Sequence, residues 1–103
     1  MKIHVITTVL ALFTVGSMSH AADIEAGKAK AATCIACHGK AGISPNPLWP
    51  NLAGQKELYL KNQIVAFRDG VRKNVMMAPM VANLTDEDAA NLAAYYSQLV
   101  QQP

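Results

Sequence analysis

The chain has 103 residues, 51% of them hydrophobic and 16% charged, with a formal net charge of +2 and two cysteines. That length allows one small domain. The charge is too weak for a nucleic-acid binder, where a domain pI above about 9 with clustered basic residues is expected.

Lys2 opens a short positive region, Ile3 to Val15 is almost continuously apolar, and Ser19-His20-Ala21 supplies small residues where a signal peptidase reads them. The pattern predicts a secretory signal over residues 1–21, cleaved after Ala21, and a mature domain over 22–103. The apolar run falls short of the roughly 20 residues that span a bilayer, so no stable membrane insertion is expected after cleavage. The mature chain is assigned to the periplasm or an equivalent exported space. Cleavage leaves His38 as the sole histidine, Cys34 and Cys37 as the cysteines, and Met76, Met77 and Met80 as the methionines. A chain this small sits near the limit of roughly 70–80 residues below which an apolar core alone stabilises poorly. A Cys34–Cys37 disulfide closes too short a loop to help, which makes a bound cofactor the better staple.

The predicted elements are helices joined by loops, without repeats, low-complexity segments or strand signals. Asp23 caps a first helix that runs through Glu25, Gly27, Ala31 and Ala32 toward Cys37 and ends at Gly39. Residues 39–54, with Pro45, Pro47, Pro50 and Trp49, read as an ordered loop. A second helix runs from near Gln55 to Gly70 on the spacing of Tyr59, Leu60, Ile64 and Phe67. Lys61, Arg68 and Arg72 share one side of it and read first as a solvated face, second as a docking patch. Residues 71–84, with Pro79 and the methionines, are expected to be irregular. Thr85 caps the last helix, Asp86, Glu87 and Asp88 fill its positive first turn, and Ala89, Leu92, Tyr96 and Leu99 form its apolar stripe to about Val100.

The run Cys34-Ile35-Ala36-Cys37-His38 has the C-x-x-C-H spacing of covalent c-type haem attachment. On a helical turn the two thiols project to one side and can add across the two vinyl groups of one porphyrin edge. His38 is then carried under the ring as the proximal iron ligand. A thioredoxin-like redox pair needs a strand-helix-strand setting, and a structural zinc site needs a fourth ligand; neither is offered. Two buried cysteines beside an unrelated surface histidine are the bland alternative. The second axial position needs a donor, and the methionine cluster is the rich source. A thioether opposite imidazole favours ferrous iron and suits an electron carrier, against the ordinary reading of Met as adaptable core filler.

With these residues in place, the chain resembles the class I cytochromes c, and among them the small soluble monohaem proteins related to each half of bacterial di-haem cytochromes c. Besides the haem motif, the resemblance rests on Glu25-Ala26-Gly27, Gly39, Pro50-Asn51-Leu52-Ala53-Gly54-Gln55, Arg68-Asp69-Gly70, Met76-Met77, Pro79-Met80, Leu84-Thr85-Asp86 and Ala93-Ala94-Tyr95-Tyr96. It covers essentially the whole mature chain. It implies an all-α, compact fold of three main helices and ordered loops around one covalently bound haem c.

By the same resemblance, the spacing to Leu84 makes Met77 the distal iron ligand, with Met80, next to Pro79, as runner-up. It also implies that Gly27 lets Tyr95 or Tyr96 of the last helix come close, and that Pro50, ahead of Pro45 and Pro47, offers its carbonyl to the haem histidine. Trp49 and Gln55 are candidates for a haem propionate, and Ile35, Leu52, Leu60, Ile64 and Val81 for the apolar wall.

The expected function is a periplasmic one-electron carrier rather than an enzyme. Its expected partners are redox proteins such as membrane cytochrome complexes or periplasmic oxidoreductases, met through small interfaces by a monomer. The alternatives are a haem-bearing subunit of a larger oxidoreductase, which exposes a sizeable apolar patch, and a haem sensor or enzyme whose methionine is absent from the iron or easily displaced.

Overall fold

A computed structural model describes residues 1–14 and 21–101. Residues 1–14 have no regular secondary structure and are exposed throughout. Ser19 and His20 of the expected cleavage site lie outside the described residues. Among the described residues no helix is long and apolar enough to cross a membrane.

The first helix starts where its cap predicts and then breaks. Asp23 Oδ1 accepts from the Ala26 N–H at 3.1 Å, opening α1 (Ile24–Lys30) with Glu25 in its first turn and Lys28 and Lys30 in its last. The expected single helix to Cys37 is instead α1, a 3₁₀ turn (Ala31–Thr33) and α2 (Ile35–His38). At the break the Cys34 N–H bonds to the Ala31 carbonyl at 2.8 Å, three residues back instead of four. Ala31 is 2% exposed, so the tightened turn lies against the interior. α2 stops at Gly39, whose φ of 86° is open to glycine and whose position a Cβ would crowd into the Ile43 carbonyl.

The loop expected over 39–54 is ordered by its own backbone. The Gly42 carbonyl accepts from Leu52 at 2.8 Å and from Ala53 at 3.0 Å, folding the proline-rich stretch back on itself. α3 (Glu57–Arg68) follows, with Leu60 buried and Ile64 and Phe67 half-buried. Tyr59, expected on that stripe, is 48% exposed, because the inward face follows the spacing 60, 64, 67.

Residues 71–84 are not wholly irregular. Asn74 Oδ1 accepts from both the Met76 and Met77 N–H groups at 2.9 Å and starts a short helix, α4 (Met77–Val81). Pro79 is tolerated in its first turn, where the missing N–H has no intrahelical partner to lose. Val81 at its end is buried.

α5 (Asp86–Ser97) opens on a complete capping box: Thr85 Oγ1 accepts from the Asp88 N–H at 3.0 Å, and Asp88 Oδ2 from the Thr85 N–H at 3.0 Å. It ends at Ser97, before the expected Val100. There Ser97 Oγ donates to the Ala94 carbonyl, Gln98 Nε2 to the Tyr95 carbonyl, and the Gly54 N–H to the Tyr96 carbonyl. These donors take carbonyls that a further turn of helix would have used.

α5 packs against both α1 and α3. The core cluster is Ala31, Leu60, Leu92, Ala93 and Tyr96, with Cys34, Leu52, Ile64, Leu84, Tyr95 and Leu99 packed on it. α1 meets α5 at Gly27, where a Cβ would overlap the Asn91 carbonyl and stand 2.9 Å from Tyr95 Cβ. Asn91, buried at this crossing, accepts the Asp23 N–H on its Oδ1 at 2.8 Å. The close approach expected at Gly27 is therefore present, with Tyr95 as the aromatic. The architecture is all-α, three main helices joined by ordered loops, and no strand occurs among the described residues.

Candidate functional site

Cys34 precedes α2 and Cys37 lies within it, so one helical turn carries both half-buried thiols. The Cys34 thiol packs on the core cluster, and burial pushes its pKa above the ordinary thiol value. It lies beside the Tyr96 hydroxyl. That hydroxyl is buried without a hydrogen bond of ordinary geometry, and burial raises its pKa in turn.

His38 closes the turn and is 7% exposed. Its Nδ1 stands 2.8 Å from the Pro50 carbonyl oxygen. A carbonyl can only accept, so Nδ1 carries a proton and donates, which in the Nδ1–H tautomer puts the free lone pair on Nε2. This is the arrangement a metal-binding imidazole needs, its ring orientation and tautomer fixed by a backbone acceptor. Of the three prolines weighed, Pro50 is the partner.

The acceptor is itself held. Asn51 Oδ1 accepts from the Ser44 N–H at 2.7 Å, and Ser44 Oγ sits 3.1 Å from the Cys37 carbonyl and 2.9 Å from that of Asn46. Ser44 thereby ties the proline loop to the cysteine turn. Sequence reading missed it. The available signal was turn chemistry: Ser44, Asn46 and Asn51 are short polar side chains that bond nearby backbone, as Asn46 Oδ1 does to the Leu48 N–H.

Met77 is half-buried at the first position of α4, whereas Met76 and Met80 are 53% and 47% exposed. Leu60 and Val81 of the expected wall are buried, Leu52 and Ile64 are half-buried, and Ile35 is 40% exposed. Trp49 and Gln55 are half-buried; Gln55 Oε1 is engaged by the Lys56 N–H at 3.0 Å. The expected solvated cation row is broken up. Arg68 turns to Asp69, Asp86 and the Leu84 carbonyl, and Arg72 lies over the Phe67 ring at 4.5 Å while bonding Gln63.

The donor set fits a covalently attached haem: two thiols on one turn, an adjacent imidazole with its tautomer fixed, and a methionine held at a helix start. It does not fit the rival metal and redox readings. Among the described residues no group of three or more His, Cys, Asp or Glu gathers to hold a metal ion, and no strand supports a thioredoxin-like pair.

Comparison with known proteins agrees with this chemistry. The cytochrome c family profile matches residues 24–99. Cytochrome c-554(548) of Halomonas halodenitrificans is 50% identical over 80 residues, covering 75% of this chain and 96% of that protein. Cytochrome c4 of Pseudomonas aeruginosa is 48% identical over 89 residues, which is 84% of this chain and 44% of that one. The crystal structure of reduced cytochrome c4 from Pseudomonas stutzeri superposes with a TM-score of 0.74 at 42% identity, over 78% of this chain and 47% of that chain. The chain thus spans about half the length of these cytochrome c4 relatives. On its fold, its motif and these matches, the chain belongs to the cytochrome c family, as a class I domain that binds haem c.

Proposed function

We propose that the chain is exported, loses residues 1–21, and serves in the periplasm as a one-electron carrier with His38 and Met77 on the iron and Cys34 and Cys37 as the covalent anchors. The observation that carries this reading is the His38–Pro50 hydrogen bond of 2.8 Å, which orients a buried imidazole, with Nε2 left for a metal, directly after the two thiols. Export is supported by the leader composition and by a family match that begins only at residue 24.

Haem, when bound, supplies the ferrous–ferric couple. The polypeptide's part would be to hold the group through the His38 imidazole and the Met77 thioether, exclude water and limit reorganisation. With both side chains engaged, the iron would have no place for a substrate. Val81 on α4 and Leu60 on the neighbouring α3 offer buried apolar surface. No general acid, base or nucleophile is required, so the proposed role is transfer to redox protein partners, not catalysis.

The test is expression in a host competent for cytochrome maturation, with optical spectra of the exported protein in both oxidation states. The expected product is red, carries a mature N-terminus at Ala22 and shows the methionine-to-iron charge-transfer band when ferric. Met77→Ala is expected to lose that band and Met80→Ala to keep it. Colourless exported protein overturns the haem anchors; loss of the band in Met80→Ala alone overturns Met77.

A second reading, a haem-bearing subunit held in a larger oxidoreductase, would require exposed aliphatic side chains such as Leu48, Leu58, Val71, Val75 and Val100 to form one docking patch. Sedimentation decides between them: a monomer is expected for the free carrier.

A further inference from the structure

α3 ends at Arg68, α5 begins at Asp86, and the segment between them carries all three methionines of the domain. Both ends of that segment meet at one side chain. Arg68 Nη1 donates to the Leu84 carbonyl at 3.2 Å and pairs with Asp86 Oδ1 at 2.7 Å. Its Nε and Nη2 hold the two oxygens of Asp69 at 2.9 and 3.3 Å. The guanidinium therefore joins the residue at which the segment leaves α3 to a carbonyl and a carboxylate at its return.

Exposed ion pairs are ordinarily worth little, because water screens them and two flexible chains must be ordered. This one differs in kind. One planar fork serves three partners with less rotamer loss per bond, and one partner is a fixed main-chain oxygen. The bond to Leu84 is informative. An arginine that only complemented the C-terminus of α3 would turn to the last carbonyls of α3, whereas this side chain reaches across to the far end of the loop. Farther along the segment, Asn74 accepts the Met76 and Met77 N–H groups, and Val81 is buried at 4% exposure. Asn74 sets the local conformation of Met77, and α4 packs on α3.

We infer that Arg68 is a positioning residue: it clasps the base of the methionine segment and so keeps the Met77 sulfur at the iron. This rests on the axial role proposed for Met77. Bringing the ends of a flexible segment together costs entropy that rises with its length, and a bridge between those ends offsets that cost. Without the clasp the segment opens more often, and a competing ligand gains in proportion to the open fraction.

The test is imidazole binding to the ferric holoprotein, well below the unfolding temperature, for the parent, Arg68→Ala, Arg68→Lys and Lys30→Ala. Arg68→Ala is expected to bind imidazole about tenfold more tightly, the scale of one charge-assisted hydrogen bond. Arg68→Lys keeps the charge without the fork and is expected to fall between Arg68→Ala and the parent. Lys30→Ala breaks the 3.6 Å Lys30–Asp88 pair between α1 and α5 and is expected to match the parent. Amide exchange over residues 76–81 is expected to quicken most in Arg68→Ala, less in Arg68→Lys and not in Lys30→Ala. Parent-like imidazole affinity in Arg68→Ala, an equal rise in Lys30→Ala, or unchanged exchange overturns the clasp. A Met77→Ala protein that keeps its methionine band overturns the axial assignment instead, and the exchange comparison still reads the clasp, since it does not depend on which sulfur is bound.

Discussion

Replacing Gly27 with alanine puts a methyl group where the Asn91 carbonyl already stands, with Tyr95 Cβ 2.9 Å away. The nearest obstacle is backbone in the middle of α5, so no rotamer change relieves it and α1 must move off α5 as a body. That movement loosens the Asp23 N–H bond to Asn91, 2.8 Å long in the parent, and leaves buried Asn91 short of a partner. Overpacking costs about 1–3 kcal/mol and the weakened buried hydrogen bond about 1 kcal/mol more. Alanine returns about 1 kcal/mol of helix propensity. The expected net loss is about 1–3 kcal/mol, or roughly 5–20 °C in Tm for a domain of this size, followed by circular dichroism on the holoprotein. Gly70→Ala is the control. Nothing stands within 4 Å of a Cβ there, and its cost is the left-handed backbone alone, φ being 75°, about 1–2 kcal/mol. A Gly27→Ala protein as stable as the parent refutes the steric account of the α1–α5 crossing.

Four further outcomes are expected. Thr85→Ala removes the side-chain half of the α5 capping box and is expected to cost about 1 kcal/mol in denaturant unfolding. Asp88 is held below the ordinary aspartate pKa, first by the Thr85 backbone N–H and then by Lys30, so its stabilising contribution is full above about pH 4 and fades as acid protonates it; Asp88→Asn is expected to flatten the acid limb of the stability–pH curve, and a superimposable curve counts against the box. Ser44→Ala cuts the tie between the proline loop and the Cys37 carbonyl and is expected to lower Tm by about 5 °C, with faster amide exchange through residues 44–52. Tyr96→Phe deletes a buried hydroxyl that has no hydrogen-bond partner, and is expected to be neutral or to stabilise by about 1 kcal/mol; a loss above that size would mean the hydroxyl has a partner in the loaded protein.

Much of the molecule follows from signals only a few residues long. Asp23 and Thr85 begin helices because each oxygen accepts an N–H three residues ahead, a bond that requires nothing from the rest of the fold. The cysteine turn is likewise self-contained, since attachment spacing and the adjacent imidazole lie within five consecutive residues. Where local signals were weaker, boundaries slipped. The break at Ala31 follows from how that residue packs in the core, and α4 depends on a single Asn74 side chain accepting two N–H groups. Tyr59 has the right spacing for the apolar stripe of α3 and still faces solvent, because periodicity does not say which of two adjacent residues the neighbouring helix covers.

The sequence by itself therefore determined the all-helical class, the caps of α1 and α5, and the chemistry of the Cys34–His38 run. Pro50 and Met77 could be named from resemblance, but the 2.8 Å bond that fixes the His38 tautomer exists only once the loop has folded over the turn. Tertiary structure alone decided that Ser44 holds that loop, that Asn91 is the surface Gly27 meets, and that Arg68 leaves the expected cation row to bridge both ends of the methionine segment. The physical reason is range. A cap or a haem motif is a bargain between neighbours in the chain, while a guanidinium finds a carbonyl sixteen residues away only after the helices on either side have packed.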